Sequence, residues 1–213
     1  PITMPEVDEI ADAILFAWDP GPQGGNAVAD INFGDVSPSG RLPVTVPLSD
    51  EPLPPYEDYR MQGRTYKYMA ESPLYPFGYG LSYVNFNYSD IRLSTDEIGM
   101  GQSIEVTVKV RNSGDIAADE VVQVYLSVQD ADFDVPNSTL AGFRRVQLAA
   151  GESQFVTFAI TPEQRRVFDR EGVSRLVAGR HTVRIGGVSP GKRAEELIGQ
   201  PLLLATFRQH EAR

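Results

Sequence analysis

Apolar and polar side chains alternate along residues 87–208 with a period of two, which is the spacing of strands that bury one face. The clearest stretch spans residues 104–111, where aliphatic side chains at even positions oppose polar or charged ones at odd positions. Turn-forming residues such as 112–115 separate it from further alternating stretches. Those stretches carry Val122, Val124, Leu126 and Val128; Phe143, Val146 and Leu148; Phe155, Thr157 and Ala159; and Thr182, Arg184 and Gly186 opposite Val183 and Ile185. The pattern predicts a mainly β fold with an antiparallel β-sandwich of about 120 residues.

Residues 1–48 follow a different pattern, that of an α/β unit. Pro5, followed by three acidic residues, has the chemistry of a helix start. Helical spacing then continues to Trp18, but the apolar run 13–18 fits a buried strand equally well. A second helix is predicted over 26–33, with Gly34 ending it. So short a unit cannot bury both of its faces, and we expect its packing partners to lie elsewhere.

Residues 49–86, the connecting strap, combine many prolines with many tyrosines. The prolines leave room for few regular elements. The tyrosines argue against a flexible linker, because each offers a large apolar area for packing. The sequence therefore predicts an ordered strap that lies over a neighbouring domain.

Charge and composition exclude several classes of function. The formal net charge is −10, from 29 acidic against 19 basic residues, which disfavours nucleic acid as a partner. The absence of cysteine excludes thiol catalysis, disulfides and Cys-ligated zinc. The longest apolar run is far shorter than the roughly 20 residues of a membrane helix, so we expect no membrane span. With two histidines, His181 and His210, a histidine-based metal site is not expected either.

Three groups of motifs resemble glycoside hydrolase family 3, in the order in which that family has them. AILFAWDPGPQGGNAVAD (13–30) and FGDVSPSGRLPVT (33–45) are similar to the late part of its second domain. GRTYKYM (63–69) and YPFGYGLSY (75–83) resemble its connecting segment. LAGFRRV (140–146), with Gly151-Glu152-Ser153, resembles its C-terminal fibronectin type III-like domain. The resemblance covers nearly the whole chain.

The resemblance implies a retaining exo-β-glycosidase that removes terminal β-linked glucose or xylose through a covalent intermediate formed with two carboxyl groups. The family's nucleophilic Asp lies in an N-terminal barrel, and its acid/base Glu lies in the second domain before the first motif found here. No catalytic residue can therefore be carried over, no cofactor or metal is implied, and we expect a structural role and no activity for the chain alone.

The resemblance also implies partners, a compartment and domain limits. The partners are the barrel, the rest of the α/β-sandwich domain and a β-linked oligosaccharide, with self-association through 1–48 as a further expectation. A secreted or periplasmic location is implied. The expected limits are an α/β fragment (1–48), the strap (49–86), a fibronectin type III-like domain (87–208) and a tail (209–213).

The resemblance favours a strand at 13–18. It also predicts Phe143 buried near the centre of the sandwich, Phe155 facing inward, and Arg144 directed to solvent or to the partner domain.

A different hypothesis is a free-standing, non-catalytic β-sandwich module for carbohydrate binding or structural support. Such a module has no need of half an α/β unit, so residues 1–48 discriminate against it.

Trp18, Arg64 and Tyr66 are the candidate substrate-binding residues. Trp18 could stack on a sugar ring, but a tryptophan ending an apolar run is more often part of a core. Arg64 and Tyr66 fit either the mouth of an active site or contacts that join two domains, and the second is favoured.

Other motifs favour structural explanations. The acidic residues of the strap, Asp50, Glu51, Glu57 and Asp58, fit a solvated surface. Asp130, Asp132 and Asp134 are spaced like calcium ligands, but the Gly and Glu that an EF-hand loop needs are missing, so a surface turn is expected. The glycines of 21–25 lack a phosphate-loop pattern and fit close packing at a turn.

Overall fold

The computed structural model describes residues 3–50 and 53–211, so the strap carboxylate Glu51 and the last two residues of the expected tail lie outside the described residues. Ten strands form the β structure: β1 Phe86–Leu93, β2 Glu97–Gly99, β3 Ile104–Asn112, β4 Ala118–Val128, β5 Thr139–Leu148, β6 Ser153–Ile160, β7 Val167–Phe168, β8 Ser174–Arg175, β9 Gly179–Gly186 and β10 Leu203–His210. One sheet has the order β1-β3-β6, a second has the order β2-β10-β9-β4-β5, and β7 pairs with β8. The β2–β10 pair is parallel and the other pairs are antiparallel.

The main core lies between the three-stranded and the five-stranded sheet. The alternation in β3 is confirmed, because Ile104, Val106, Val108 and Val110 are fully buried. Strands β4 and β9 contribute Val122, Val124, Leu126, Val183 and Ile185 to the same core. Burying these aliphatic faces against each other supplies the main favourable free energy of the fold.

The predicted positions of Phe143 and Phe155 are wrong. Phe143 is 67% exposed and Phe155 is 55% exposed. In β6 the inward set is one residue out of phase with the prediction and consists of Val156, Phe158 and Ile160. A shift of one residue moves every side chain of a strand to the opposite face, so the error affects the whole strand.

Phe143 faces outward because β5 alternates without interruption from Gly142 to Leu148, and Val146 and Leu148 point inward. A β-bulge precedes this stretch. The pairing runs Val124↔Gly142 and then Tyr125↔Leu140, which leaves Ala141 as an extra residue. Phe143 pairs with Gln123 and shares the outer face of the sheet with it. Arg144 is exposed as predicted, with its guanidinium carbon 5.6 Å from the centre of the Phe158 ring.

The first 48 residues contain two helices and no strand among those described. Helix α1, Pro5–Ile10, begins as predicted but ends well before Trp18. Residues 13–18 do not form the expected strand, since no described neighbour supplies a hydrogen-bonded ladder for them. Helix α2, Gly24–Asn32, begins two residues before the predicted start and ends against Gly34, whose φ of +83° favours glycine.

Part of the strap packs in a second, smaller core. Leu42, Val46, Leu74 and Tyr75 are buried there, and Val46 and Tyr75 form an isolated antiparallel bridge. Residues 65–68 form a one-turn helix, α3 Thr65–Tyr68. A last helix, α4 Lys192–Ile198, precedes β10 and contributes to the second core through Leu197.

Candidate functional site

Buried polar side chains join the first 84 residues to the sandwich. At the centre of this contact, Arg41 Nη2 donates to Glu120 Oε2 at 2.6 Å, and the two side chains are only 8% and 3% exposed. Tyr88 of β1 donates its hydroxyl to the other carboxylate oxygen, Glu120 Oε1, at 2.9 Å. Burial beside this carboxylate raises the pKa of Tyr88 well above its usual value. The Glu120 carboxylate is thus fully engaged in joining two parts of the chain.

Gln123 forms a second junction on the outer face of β4. Its Nε2 donates to the Gly78 carbonyl of the strap at 3.1 Å and to the Gly187 carbonyl at 2.6 Å. Tyr125 donates its hydroxyl to Gln123 Oε1 at 2.5 Å. A Cβ on Gly78 would overlap the Gln123 amide, so glycine is required for this approach.

Tyr66 packs the strap onto β4 and β5. Its ring is stacked on Phe77 at 4.7 Å between centroids and meets Tyr125 edge-on at 5.8 Å. Its hydroxyl accepts a hydrogen bond from the Leu140 backbone amide at 3.2 Å. Burial raises the pKa of Tyr66, so the phenol stays neutral at physiological pH.

Arg64 organises the strap itself. Its Nη2 donates to the carbonyls of Pro55 at 3.0 Å and Asp58 at 2.7 Å, and its Nε donates to the Arg60 carbonyl at 3.2 Å. The Asp58 carboxylate in turn accepts hydrogen bonds from Arg60, which lower its pKa to about 2. The guanidinium of Arg64 is therefore occupied by backbone carbonyls of its own loop.

Trp18 lies apart from this group and is not part of a core. It is 59% exposed, its φ of +48° is unusual for a non-glycine residue, and its ring centre lies 6.2 Å from that of Phe16. Of the three candidate substrate-binding residues, Arg64 and Tyr66 lie in one strap, and no contact joins Trp18 to either among the described residues.

The strap also holds the α/β fragment. Asp8 of α1 accepts a hydrogen bond from the Tyr75 hydroxyl, and burial together with this bond raises the pKa of Tyr75 to about 12. Tyr83 donates its hydroxyl to the Ile31 carbonyl of α2 at 2.5 Å. Both helices are thereby tied to the strap, and the strap is tied to the sandwich.

The remaining polar motifs have structural partners. Asp130 accepts a hydrogen bond from the Arg180 amide at 2.8 Å, and Asp134 pairs with Arg170 at 3.5 Å. Within residues 3–50 and 53–211, no group of three or more His, Asp or Glu side chains is arranged to hold a metal ion. In the same part of the chain, no helix has the length and apolarity needed to cross a membrane. Gly24 packs directly on Pro20, which agrees with close packing at a turn.

His181 belongs to the sandwich. It is stacked on Phe207 at 5.0 Å, and its Nε2 lies 3.0 Å from the Val177 carbonyl oxygen. Burial lowers the pKa of the imidazole, with the Arg165 charge acting in the same direction.

Sequence reasoning missed Arg41, Glu120 and Gln123. A signal for Glu120 was present, because it shares the parity of the buried residues Val122 and Val124 and thus places a carboxylate on the core side of β4. A carboxylate at such a position needs a cation or hydrogen-bond donors. Nothing in the sequence identified Arg41 as the cation, since 79 residues separate it from Glu120.

Comparisons with known proteins agree with this organisation. The Glycosyl hydrolase family 3 C-terminal domain matches residues 1–83, and the Fibronectin type III-like domain matches residues 120–189. A putative beta-xylosidase of Formosa agariphila is 45% identical over 184 residues, which are 84% of this chain and 24% of that protein. A periplasmic beta-glucosidase of Salmonella typhimurium is 37% identical over 87% of this chain and 26% of its own length.

Solved structures similar to this chain are also those of beta-glucosidases. A β-glucosidase from Erythrobacter marinus matches 99% of this chain with a TM-score of 0.82 and 36% identity, over 27% of its own length. A beta-glucosidase from Listeria innocua, in complex with gluconolactone, matches 96% of this chain with a TM-score of 0.77 and 30% identity, over 28% of its length. The chain spans about a quarter of the length of these proteins. The chain belongs to glycoside hydrolase family 3 and corresponds to the C-terminal part of its members, including their fibronectin type III-like domain.

Proposed function

We propose that the chain serves as the C-terminal part of a retaining exo-β-glycosidase that removes terminal β-linked glucose or xylose. Its own contribution is structural: the sandwich and the strap hold the end of the α/β domain in a fixed position. The observation that carries this proposal is the buried Arg41–Glu120 pair, which fastens the residues matched by the family 3 domain to the sandwich. The names of the relatives, beta-xylosidase and beta-glucosidase, supply the two sugars.

Under this proposal no residue of the chain is catalytic. Retaining hydrolysis needs a nucleophilic and an acid/base carboxyl group about 5 Å apart. The most deeply buried carboxylate described here, Glu120, is held by Arg41 and Tyr88 and has no free oxygen for either role. Both reacting groups are assigned to the barrel and to the earlier part of the α/β domain.

The apolar surface of the α/β fragment supports the assignment of a partner. Ile10 and Phe33 are 83% and 84% exposed, and Leu15 is also exposed. We assign this surface to the rest of the α/β domain. In the isolated chain it should instead drive self-association. Sedimentation of the 213-residue chain should then depend on concentration, and Ile10→Ser with Phe33→Ser should reduce that dependence.

Arg64 and Tyr66 act as structural residues in this proposal, because their polar atoms are engaged within the chain. Trp18 is the one candidate whose ring is free to meet a sugar. If the Trp18 ring contacts a sugar of the substrate, Trp18→Ala in the intact enzyme should raise KM for a disaccharide more than KM for an aryl glycoside.

A chimera tests the proposal. In the Formosa agariphila relative, the matching C-terminal segment is replaced by residues 1–213, and hydrolysis of aryl β-xylosides and β-glucosides is measured. We expect activity from the chimera and none from the relative lacking the segment. The same chimera with Arg41→Ala should lose soluble activity, whereas Arg145→Ala, which alters an exposed pair, should not. Turnover by the 213-residue chain alone, abolished by one Asp or Glu substitution within it, would contradict the proposal.

A further inference from the structure

The outer face of the three-stranded sheet β1-β3-β6 is a regular array of polar side chains. The pairings place Asn87, Arg111 and Ser153 in one row across the sheet, and Ser89, Lys109 and Phe155 in the next. Arg92, Thr107 and Thr157 form a third row, beyond the irregularity in β1. The opposite face of these strands is the sandwich core, so the array is presented outward.

The array is cationic although the chain is acidic. Arg92, Lys109 and Arg111 stand within about 13 Å of each other along the strands, given a rise of about 3.3 Å per residue. None of the three side chains has an ion-pair or hydrogen-bond partner among the residues that the structure describes. Two carboxylates accompany them: Glu105 lies on the same face, and the exposed Asp90, at the irregularity in β1, accepts a hydrogen bond from the Ser89 hydroxyl at 3.2 Å. Three cations against two carboxylates still contrast with the chain's formal charge of −10.

A groove with an exposed aromatic ring lies within this array. Its volume is about 370 Å³, and it is lined by Arg92, Leu93, Ser94, Glu105, Thr107 and Phe155. Phe155 is 55% exposed, so its ring offers a flat apolar surface in the middle of polar groups. The Thr107 and Thr157 hydroxyls bond to each other at 2.8 Å beside it.

We propose that this face binds an anionic β-glycan, one that carries uronic acid residues. The apolar side of a pyranose ring would cover Phe155, and the threonine hydroxyls and Glu105 would meet sugar hydroxyls. The carboxylates of the glycan would pair with Arg92, Lys109 and Arg111. Charge complementarity selects an acidic chain over a neutral one. The proposal rests on the proposed function only in taking a β-glycan as the ligand.

The test measures binding by the 213-residue chain, without catalysis, so its outcome is independent of the chimera's activity. Affinity electrophoresis in gels containing glucuronoxylan is compared with gels containing the same polymer after reduction of its carboxyl groups. We expect retardation by glucuronoxylan that weakens with added salt, and much weaker retardation by the reduced polymer. Arg92→Ala with Arg111→Ala should lower the affinity for glucuronoxylan at least about fivefold. Each exposed ion pair adds little binding free energy, so the effect is expected from the loss of two pairs together.

Matched variants complete the design. Arg208→Ala removes an exposed cation from β10, on the other sheet, and should leave the affinity unchanged. Phe155→Ala should weaken binding of glucuronoxylan while the thermal midpoint stays close to that of the parent. Equal retardation by both polymers, no retardation by either, or binding that survives the double substitution would overturn the proposal. So would self-association abolished by the double substitution, because the face would then serve an acidic surface of a second copy.

Discussion

Arg41 and Glu120 form a 2.6 Å ion pair between the family 3 segment and the sandwich, and both side chains are almost completely buried. A buried pair of this kind need not add net stability relative to apolar residues. Removing one partner, however, leaves an uncompensated charge in a poorly solvated place. The joint between the two parts of the chain therefore depends on both residues being present together.

Substituting Arg41 by Ala should lower the free energy of unfolding by about 3–5 kcal/mol, because Glu120 would be left buried without its cation. Urea unfolding at neutral pH measures the loss. Arg145→Ala is the matched control, an exposed contact across the same joint: Arg145 pairs with Asp119 at 2.7 Å and donates to the Ser39 hydroxyl at 2.7 Å, but it is 61% exposed, so its loss should cost less than about 1 kcal/mol. Equal costs for the two variants would show that the Arg41–Glu120 pair is solvated in solution.

Leu148→Ala and Phe143→Ala should differ strongly, although both residues lie in β5. Leu148 is fully buried, and truncating it should cost about 2–5 kcal/mol. Phe143 is 67% exposed on the outer face, and its truncation should cost less than about 1 kcal/mol. The shift in urea midpoint checks both values. A larger shift for Phe143→Ala would place Phe143, and not Leu148, in the core.

Gly78→Ala should destabilise the strap through two effects. The φ of Gly78 is +79°, which costs an alanine about 1–2 kcal/mol, and the new Cβ would overlap the Gln123 amide. Gly151→Ala isolates the first effect, because Gly151 has φ +72° with nothing within 4 Å of the added Cβ. The thermal midpoint should fall further for Gly78→Ala. Similar shifts would mean that Gln123 moves aside without cost.

Stability should fall as the pH drops below about 6.5, the ordinary pKa of an unfolded histidine. Burial lowers the pKa of His181 in the folded state, against the hydrogen bond with the Val177 carbonyl, and the charge of Arg165 lowers it further against that of Asp130. The unfolded chain therefore binds a proton at a pH where the folded chain does not, which favours unfolding by up to about 1.4 kcal/mol per pH unit.

Unfolding free energies measured between pH 7.5 and 5.5 check this dependence. His181→Gln should reduce the slope of the unfolding free energy against pH. A slope that is the same in His181→Gln and in the parent would assign the pH dependence to carboxylates.

Uniform local patterns were enough to predict part of this fold. Strand β3 alternates without interruption, and its four inward aliphatic residues could be read from the sequence. Strand β6 could not be assigned, because Phe155 and Phe158 offer large apolar side chains on both faces and only pairing with β3 decides between them. Residues 13–18 have strand composition, but a strand exists only with a neighbour, which local sequence does not provide.

The polar junctions were harder to predict than the strands, because the residues that form each junction lie far apart in the sequence. Gln123 and Gly78 are 45 residues apart, and the sequence around each of them gives no sign of the other. The sequence suggests Arg64 and Tyr66 as candidates because the strap that holds them could lie at the mouth of an active site. Their hydrogen bonds, which go to carbonyls and an amide of the chain, become visible only once the strap is folded.

The extra residue at Ala141 divides β5 into two segments with opposite phase. Thr139 pairs with the buried residue Leu126, whereas beyond Ala141 the even positions from Gly142 onward oppose the inward residues of β4. Counting residues along this strand therefore assigns the wrong face to one segment or the other. When relatives are aligned here, a gap moved by a single column exchanges core positions for surface positions. Substitutions in this hairpin should be compared between proteins by cross-strand partner and not by column number.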